Sequence, residues 1–167
     1  MKLYGSQDGD PSALLRWALG EAWGFSALPP LARTASGKPY FPQFPGLHFN
    51  LSHSGRLTLC ALSHRPVGVD IEQVRPRGAS LPRYALTAAE YAGWEAAGGG
   101  WPAFYALWTR REAWCKYTGQ GLRPLWKQEI PEEGLLFGAY SGPGWQASVC
   151  STTPPPVEIC WKEGDAP

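Results

Sequence analysis

Apolar and polar positions alternate with changing period along this chain, and each change predicts an element. Met1 to Tyr4 starts as a short strand. Asp10-Pro11-Ser12 then leads into Ala13-Leu14-Leu15-Arg16-Trp17-Ala18-Leu19, where apolar residues fall at helical spacing behind a proline. From Leu28 to Phe44 the chain is broken by Pro29, Pro30, Pro39 and Pro42, which predicts a loop. Leu47-His48-Phe49-Asn50-Leu51-Ser52 alternates as a strand does, and Leu57 to Leu62 is a denser apolar strand. Ser63-His64-Arg65-Pro66 turns the chain into Val67-Gly68-Val69-Asp70-Ile71-Glu72, a third alternating strand.

Further on, Thr87-Ala88-Ala89-Glu90 has the form of a capping box and predicts a helix start. After Gly98-Gly99-Gly100 a second helix is expected from about Pro102 to Tyr117. Gly119 and Gly121 suit a left-handed cap at its end. Leu135 to Tyr140, Trp145 to Ser151 and Val157 to Trp161 read as three closing strands. No sequence repeat is evident, yet each half holds a helix and a few strands. The predicted class is α+β.

Composition supports a folded core. Of the 167 residues, 44% are hydrophobic and 17% charged, with 9 Trp, 7 Tyr and 6 Phe, the opposite of a disordered balance. A chain of roughly 150 residues buries about two-thirds of its unfolded surface, so no metal or disulfide staple is required. The net charge of +1 argues against nucleic-acid or membrane-surface attraction as the main role. The start of the chain turns polar at once, so no signal peptide is expected, and no apolar run nears the ~18 residues of a membrane span. Cys60, Cys115, Cys150 and Cys160 lack CxxC spacing, which points to reduced thiols of a cytoplasmic protein rather than a zinc site.

Four groups carry chemistry. On the strand Val67 to Glu72, the residues Val67, Val69 and Ile71 share one face; Gly68, Asp70 and Glu72 share the other. Two carboxylates ~7 Å apart repel each other, which suits open solvent or a cation between them. Gly68 beside them leaves room for a ligand. On the second helix Trp108, Glu112 and Lys116 form one stripe, flanked by Phe104 and Leu107, so it is expected to face protein. A partly buried carboxylate there needs a partner or a metal. Asn50-Leu51-Ser52-His53-Ser54-Gly55 ends a strand with several donors suited to an anion. Ser36-Gly37-Lys38-Pro39 sets a cation on a tight turn. Each group alone also has an ordinary reading: a solvated edge strand, a surface ion pair, a capped turn, a solvated lysine.

Their order is more specific than any one of them. GKP, FNLSHS, VGVDIE and the helical W-x-x-R-E-A-x-x-K-x-x-G-x-G-L, spanning Gly37 to Leu122, resemble the motif series of the 4′-phosphopantetheinyl transferase superfamily, in its larger, surfactin-synthetase-activating type. The resemblance implies two similar subdomains related by pseudo-two-fold symmetry, each a small, mainly antiparallel sheet packed with a helix. Residues 1–65 would form the coenzyme A nucleotide side and 66–167 the side of the metal and catalytic helix. It also implies Mg²⁺-dependent transfer of 4′-phosphopantetheine from coenzyme A to a serine of an acyl or peptidyl carrier protein, releasing 3′,5′-ADP. Asp70, Glu72 and Glu112 would hold Mg²⁺, and Glu112 would take the serine proton, with His53 and Lys116 acting on the pyrophosphate. Lys38, Ser52, His53, Arg111 and Lys116 would contact coenzyme A.

Two departures stand out. Arg111 occupies a position where the family usually has Lys, and a planar fork is not equivalent to a point charge. The region before Ser12 offers acids where longer relatives carry basic residues for the 3′-phosphate, leaving Arg33 as a substitute. These departures motivate an alternative, a degenerate relative that binds coenzyme A or a carrier protein without efficient turnover. Both a monomer and a homodimer remain open. Leu81, Tyr84 and Leu86 are expected either to dock the carrier or to pack between the halves.

Overall fold

The protein is described by a computed structural model covering residues 1–121, 127–131 and 133–164, so Leu122, the last motif position, lies outside the described residues. Asp10 starts the first helix, α1 (Pro11–Trp23): its carboxylate accepts from Ser12 N at 2.9 Å and Ala13 N at 3.0 Å, and Pro11 fills the first turn. The apolar stripe Leu14, Leu15, Ala18 and Leu19 packs on Tyr4, Phe49, Cys60 and Leu62. Those four residues belong to a sheet of order β4-β5-β1-β9, made from β4 (His48–Ser54), β5 (Leu57–Ser63), β1 (Lys2–Ser6) and β9 (Cys160–Trp161). Only β9 runs parallel to its neighbour; the other pairings are antiparallel.

The opposite face of this sheet meets a second one, of order β6-β8-β7, from β6 (Val67–Gln73), β8 (Trp145–Ser151) and β7 (Leu136–Gly142), all antiparallel. Leu3, Leu57, Leu59 and Ala61 from the first sheet and Val67, Val69, Ile71, Trp145, Ala147 and Val149 from the second form one shared core. The longest helix, α4 (Trp101–Thr118), covers the far side of the second sheet through Ala113, Trp114 and Cys115 against Cys150. The layers therefore run α1, sheet, sheet, α4: a mixed α+β architecture with small, mainly antiparallel sheets.

Several expectations need correction. The stretch from Leu28 to Phe44 contains a small hairpin, β2 (Ala32–Arg33) with β3 (Pro39–Tyr40). A short helix, α2 (Leu81–Ala85), precedes α3 (Ala88–Ala96), whose Thr87–Glu90 capping box forms as expected. The last strand keeps only Cys160–Trp161; Val157 is 99% exposed and unpaired with any sheet. Of the apolar trio near α2, Leu86 is buried with Phe104 and Tyr105, Leu81 packs at the edge of that cluster, and Tyr84 is exposed.

Gly68 leaves no room for a ligand. A Cβ there would lie 2.0 Å from Ala113 O and 2.3 Å from Tyr117 N, so the glycine admits the backbone of α4 itself. That close approach sets how near the helix side chains come to Asp70.

Candidate active site

No backbone ladder joins β4 to β6; side chains make the seam. Asn50, Ser52 and Ser54 sit at alternate positions of β4 and accept hydrogen bonds from alternate N–H groups of β6. Val69 N donates to Asn50 Oδ1 at 2.8 Å, Ile71 N to Ser52 Oγ at 3.3 Å and Gln73 N to Ser54 Oγ at 3.1 Å. The match follows from the two-residue period that both strands share. The serines donate onward: Ser52 to Asp70 Oδ1 and Ser54 to Glu72 Oε2, both at 2.7 Å.

From α4, Lys116 Nζ reaches the same point, donating to Asp70 Oδ1 at 2.7 Å and Ser52 Oγ at 2.9 Å. Asp70 is only 3% exposed, and its second oxygen, Oδ2, is buried without a hydrogen-bond partner. A bare buried carboxylate oxygen is costly unless a cation or donor arrives. Burial pushes the Asp70 carboxyl above its ordinary range, opposed by Lys116 and Ser52. Glu72 is raised by burial and by the charge of Asp70, and held back by Ser54. Glu112, one helical turn before Lys116, is pushed up to about 7 by burial and then by Asp70 and Glu72, with Lys116 opposing. The three acids thus share one electrostatic field.

Glu112 and Lys116 line a cavity of about 320 Å³ together with Lys38, Asn50, Leu51 and Cys115. That volume falls within the range of small-molecule sites. Gly119 closes α4 in the left-handed conformation (φ 71°) at the cavity edge, its N–H bonded to Cys115 O. Lys38, on the β2–β3 hairpin, donates to Lys116 O at 2.5 Å, Val67 O at 3.2 Å and Tyr117 O at 3.3 Å. Its ammonium therefore caps the end of α4 at the edge of the cavity that Lys38 helps to line. Burial lowers it to about 8.

Two expected site residues stand elsewhere. Arg111 is wholly buried, bonded to Glu90 Oε1 and to Gln128 O, both at 2.7 Å. It ties α3 and the segment around Gln128 to α4 and is not among the residues lining the cavity. His53 lies between the two serines, so strand alternation turns it to the face of Phe49 and Leu51, where it is exposed. It does not join the acids. Ser54 was hidden in the motif, although its i+2 spacing from Ser52, matching Asp70 and Glu72, is a readable signal.

The donor set suits a hard divalent cation: oxygen ligands, one of them an orphaned buried oxygen. Among the described residues no three His, Cys, Asp or Glu side chains close into a ready-made cage. The positive charge at Asp70 is the Lys116 ammonium.

Residues 66–133 match the model of the 4′-phosphopantetheinyl transferase superfamily. A 4′-phosphopantetheinyl transferase of Bacillus subtilis is 39% identical over 88 residues, 52% of this chain and 39% of that protein. The 4′-phosphopantetheinyl transferase psf-1 of Bacillus pumilus is 31% identical over 145 residues, 74% of this chain and 60% of that protein. The 4′-phosphopantetheinyl transferase AcpT of Salmonella typhi is 40% identical over 142 residues, covering 77% of this chain and 70% of that protein. The chain belongs to the 4′-phosphopantetheinyl transferase superfamily. Within this superfamily member the match over 66–133 contains Asp70, Glu72, Glu112 and Lys116, the residues that the structure gathers from β6 and α4. The chain spans 39% and 60% of the length of the two Bacillus relatives, less than two thirds of each. Among the described residues no helix is long and apolar enough to cross a membrane.

Proposed function

We propose that this protein transfers the 4′-phosphopantetheine group of coenzyme A to a serine of an acyl or peptidyl carrier protein, releasing 3′,5′-ADP. The observation that carries the reading is the meeting of Asp70 and Ser52 with Lys116, which lines the cavity together with Glu112. Residues 66–167 bring the acids and the lysine, and residues 1–65 bring the serines of β4 that orient them. The two parts act as similar halves, each a small sheet backed by a helix, with Cys160–Trp161 of the second part joining the edge of the first sheet.

Asp70, Glu72 and Glu112 would hold a Mg²⁺ ion, Asp70 being close enough to raise the carboxyl range of Glu72, and both close enough to raise that of Glu112. When bound, that ion neutralises charge on the diphosphate. The chain's own residues do the rest. Glu112, poised at about 7, accepts the proton of the carrier serine as its oxygen bonds to the β-phosphorus. The bond from that phosphorus to the bridging oxygen breaks, and the electron pair leaves with 3′,5′-ADP. Lys116, already held by Asp70 and Ser52, is placed to meet the developing negative charge. Lys38 and Gly119 fix the cavity rim where the nucleotide would lie. The reaction fits a cytoplasmic setting with coenzyme A and a carrier protein as partners.

The decisive experiment is incubation with coenzyme A, Mg²⁺ and several apo carrier proteins, read by intact-mass spectrometry. The expected result is addition of the phosphopantetheine arm by the wild type and none by Asp70→Ala. Coenzyme A binding without added mass on every carrier tried would overturn the transferase reading.

A further inference from the structure

We propose that Ser54 is a positioning residue whose hydroxyl occupies Oε2 of Glu72 and leaves Oε1 as the oxygen available to a divalent cation. The proposal rests on the transferase reading, in which Glu72 is a cation ligand, and deepens it.

A serine hydroxyl carries one proton. Ser54 Oγ receives the Gln73 N–H at 3.1 Å, so its own proton is free to go to Glu72 Oε2, 2.7 Å away. The same logic acts one rung earlier, where Ser52 Oγ receives Ile71 N and Lys116 Nζ and donates to Asp70 Oδ1. In each unit a hydroxyl takes the N–H of the residue after the acid and fills one oxygen of the acid. At Asp70 the other oxygen is demonstrably left over: Oδ2 is buried and bare. At Glu72 no described hydrogen bond reaches Oε1, by the same arrangement.

Glu72 needs this hold more than Asp70 does. It has one more rotatable bond and is only half-buried, and fixing such a side chain costs up to ~2 kcal/mol of rotamer entropy. Outer partners that orient a ligating carboxylate matter to cation affinity for this reason.

The test is calorimetric titration of Mg²⁺ into the wild type, Ser54→Ala, Ser54→Thr, Glu72→Gln and the Ser54→Ala/Glu72→Gln pair. Ser54→Ala is expected to weaken Mg²⁺ binding about tenfold, at the lower end of losses from an outer partner, and Ser54→Thr to restore it. In the Glu72→Gln background the same change is expected to have no further effect, as required of a residue acting through another. An equal loss in both backgrounds, or unchanged affinity in Ser54→Ala, would overturn the proposal. A second measurement needs no cation: side-chain NMR order of Glu72 in metal-free protein should fall in Ser54→Ala and recover in Ser54→Thr. If the wild type binds no Mg²⁺, the cation assignment fails by itself. The NMR result then decides whether Ser54 holds Glu72, unchanged order in Ser54→Ala counting against it.

Discussion

Asp70 and Lys116, 46 positions apart in sequence, meet at 2.7 Å, and the meeting leaves the second oxygen of Asp70 buried and bare. The pair is a working contact more than a stabilising one. Breaking a buried ion pair costs ~3–5 kcal/mol because the remaining charge is stranded. Lys116 keeps 28% side-chain exposure, which lets water offset part of that loss. Lys116→Met is therefore expected to destabilise the metal-free protein by about 2–3 kcal/mol at neutral pH. Urea denaturation with and without Mg²⁺ checks this, and saturating Mg²⁺ should recover part of the loss.

Glu112 supplies the pH dependence. Its folded-state carboxyl sits at about 7 against an ordinary 4.5, so between those values the folded protein holds a proton that the unfolded chain has lost. Stability from this group therefore falls as pH rises from about 4.5 through 7, and the ionised form is the costly one. Glu112→Gln is expected to raise the metal-free Tm by a few degrees at about pH 8 and to change little at about pH 5, each kcal/mol being worth about 2–4 °C in a chain of this size. Mg²⁺ and the proton compete for the same carboxylate, so wild-type Mg²⁺ affinity should climb between about pH 6 and 8. Thermal melts and calorimetry at the two ends of the range test both statements.

Gly68→Ala sets a methyl group 2.0 Å from a backbone oxygen of α4, with no flexible side chain to yield. The helix must move off β6, carrying Lys116 and Glu112 from Asp70. Expected are a stability loss of about 3 kcal/mol or more, as for other overpacked sites, and a large drop in transfer rate. Denaturation and the mass-spectrometric assay measure the two effects. Normal activity in a well-folded Gly68→Ala protein would show that the approach of α4 is not needed.

Arg111→Lys tests the position of the guanidinium. A lysine keeps charge near Glu90 but cannot reproduce the fork to both Glu90 and Gln128 O. Stability should fall by about 1–2 kcal/mol through the lost hydrogen bond and looser packing, while KM for coenzyme A stays within about twofold, since only uniform binding contacts move KM alone. A tenfold rise in KM would return Arg111 to the binding site.

The sequence pattern discloses the elements better than it discloses their surroundings. Val67, Val69 and Ile71 alternate with Asp70 and Glu72, and the strand with its two faces is readable from that alone. What each face meets is not. Gly68 looks like space until α4 is laid across it, because the approach of a helix 45 residues onward leaves no local mark (Ala113 lies that far along the chain). Arg111 looks like a substrate cation beside Glu112, yet one residue on a helix is about 100° of rotation, enough to turn it from the cavity to Glu90. His53 falls to the same rule in a strand, where one step reverses the face. Lys38 reaches carbonyls from two distant elements, which no neighbouring residue announces.

The shared core also governs how the molecule comes apart. Cutting the chain between Ser63 and Val67 would strip apolar faces from both sheets at once, and would strand the N–H groups of Val69, Ile71 and Gln73 that only β4 can satisfy. Each fragment would keep the cluster under its own helix, α1 on the first sheet and α4 on the second, but would lose the layer between the sheets. Separation of the two sheets therefore takes the geometry needed for transfer with it, because the contacts of Ser52 with Asp70 and of Ser54 with Glu72 cross that seam.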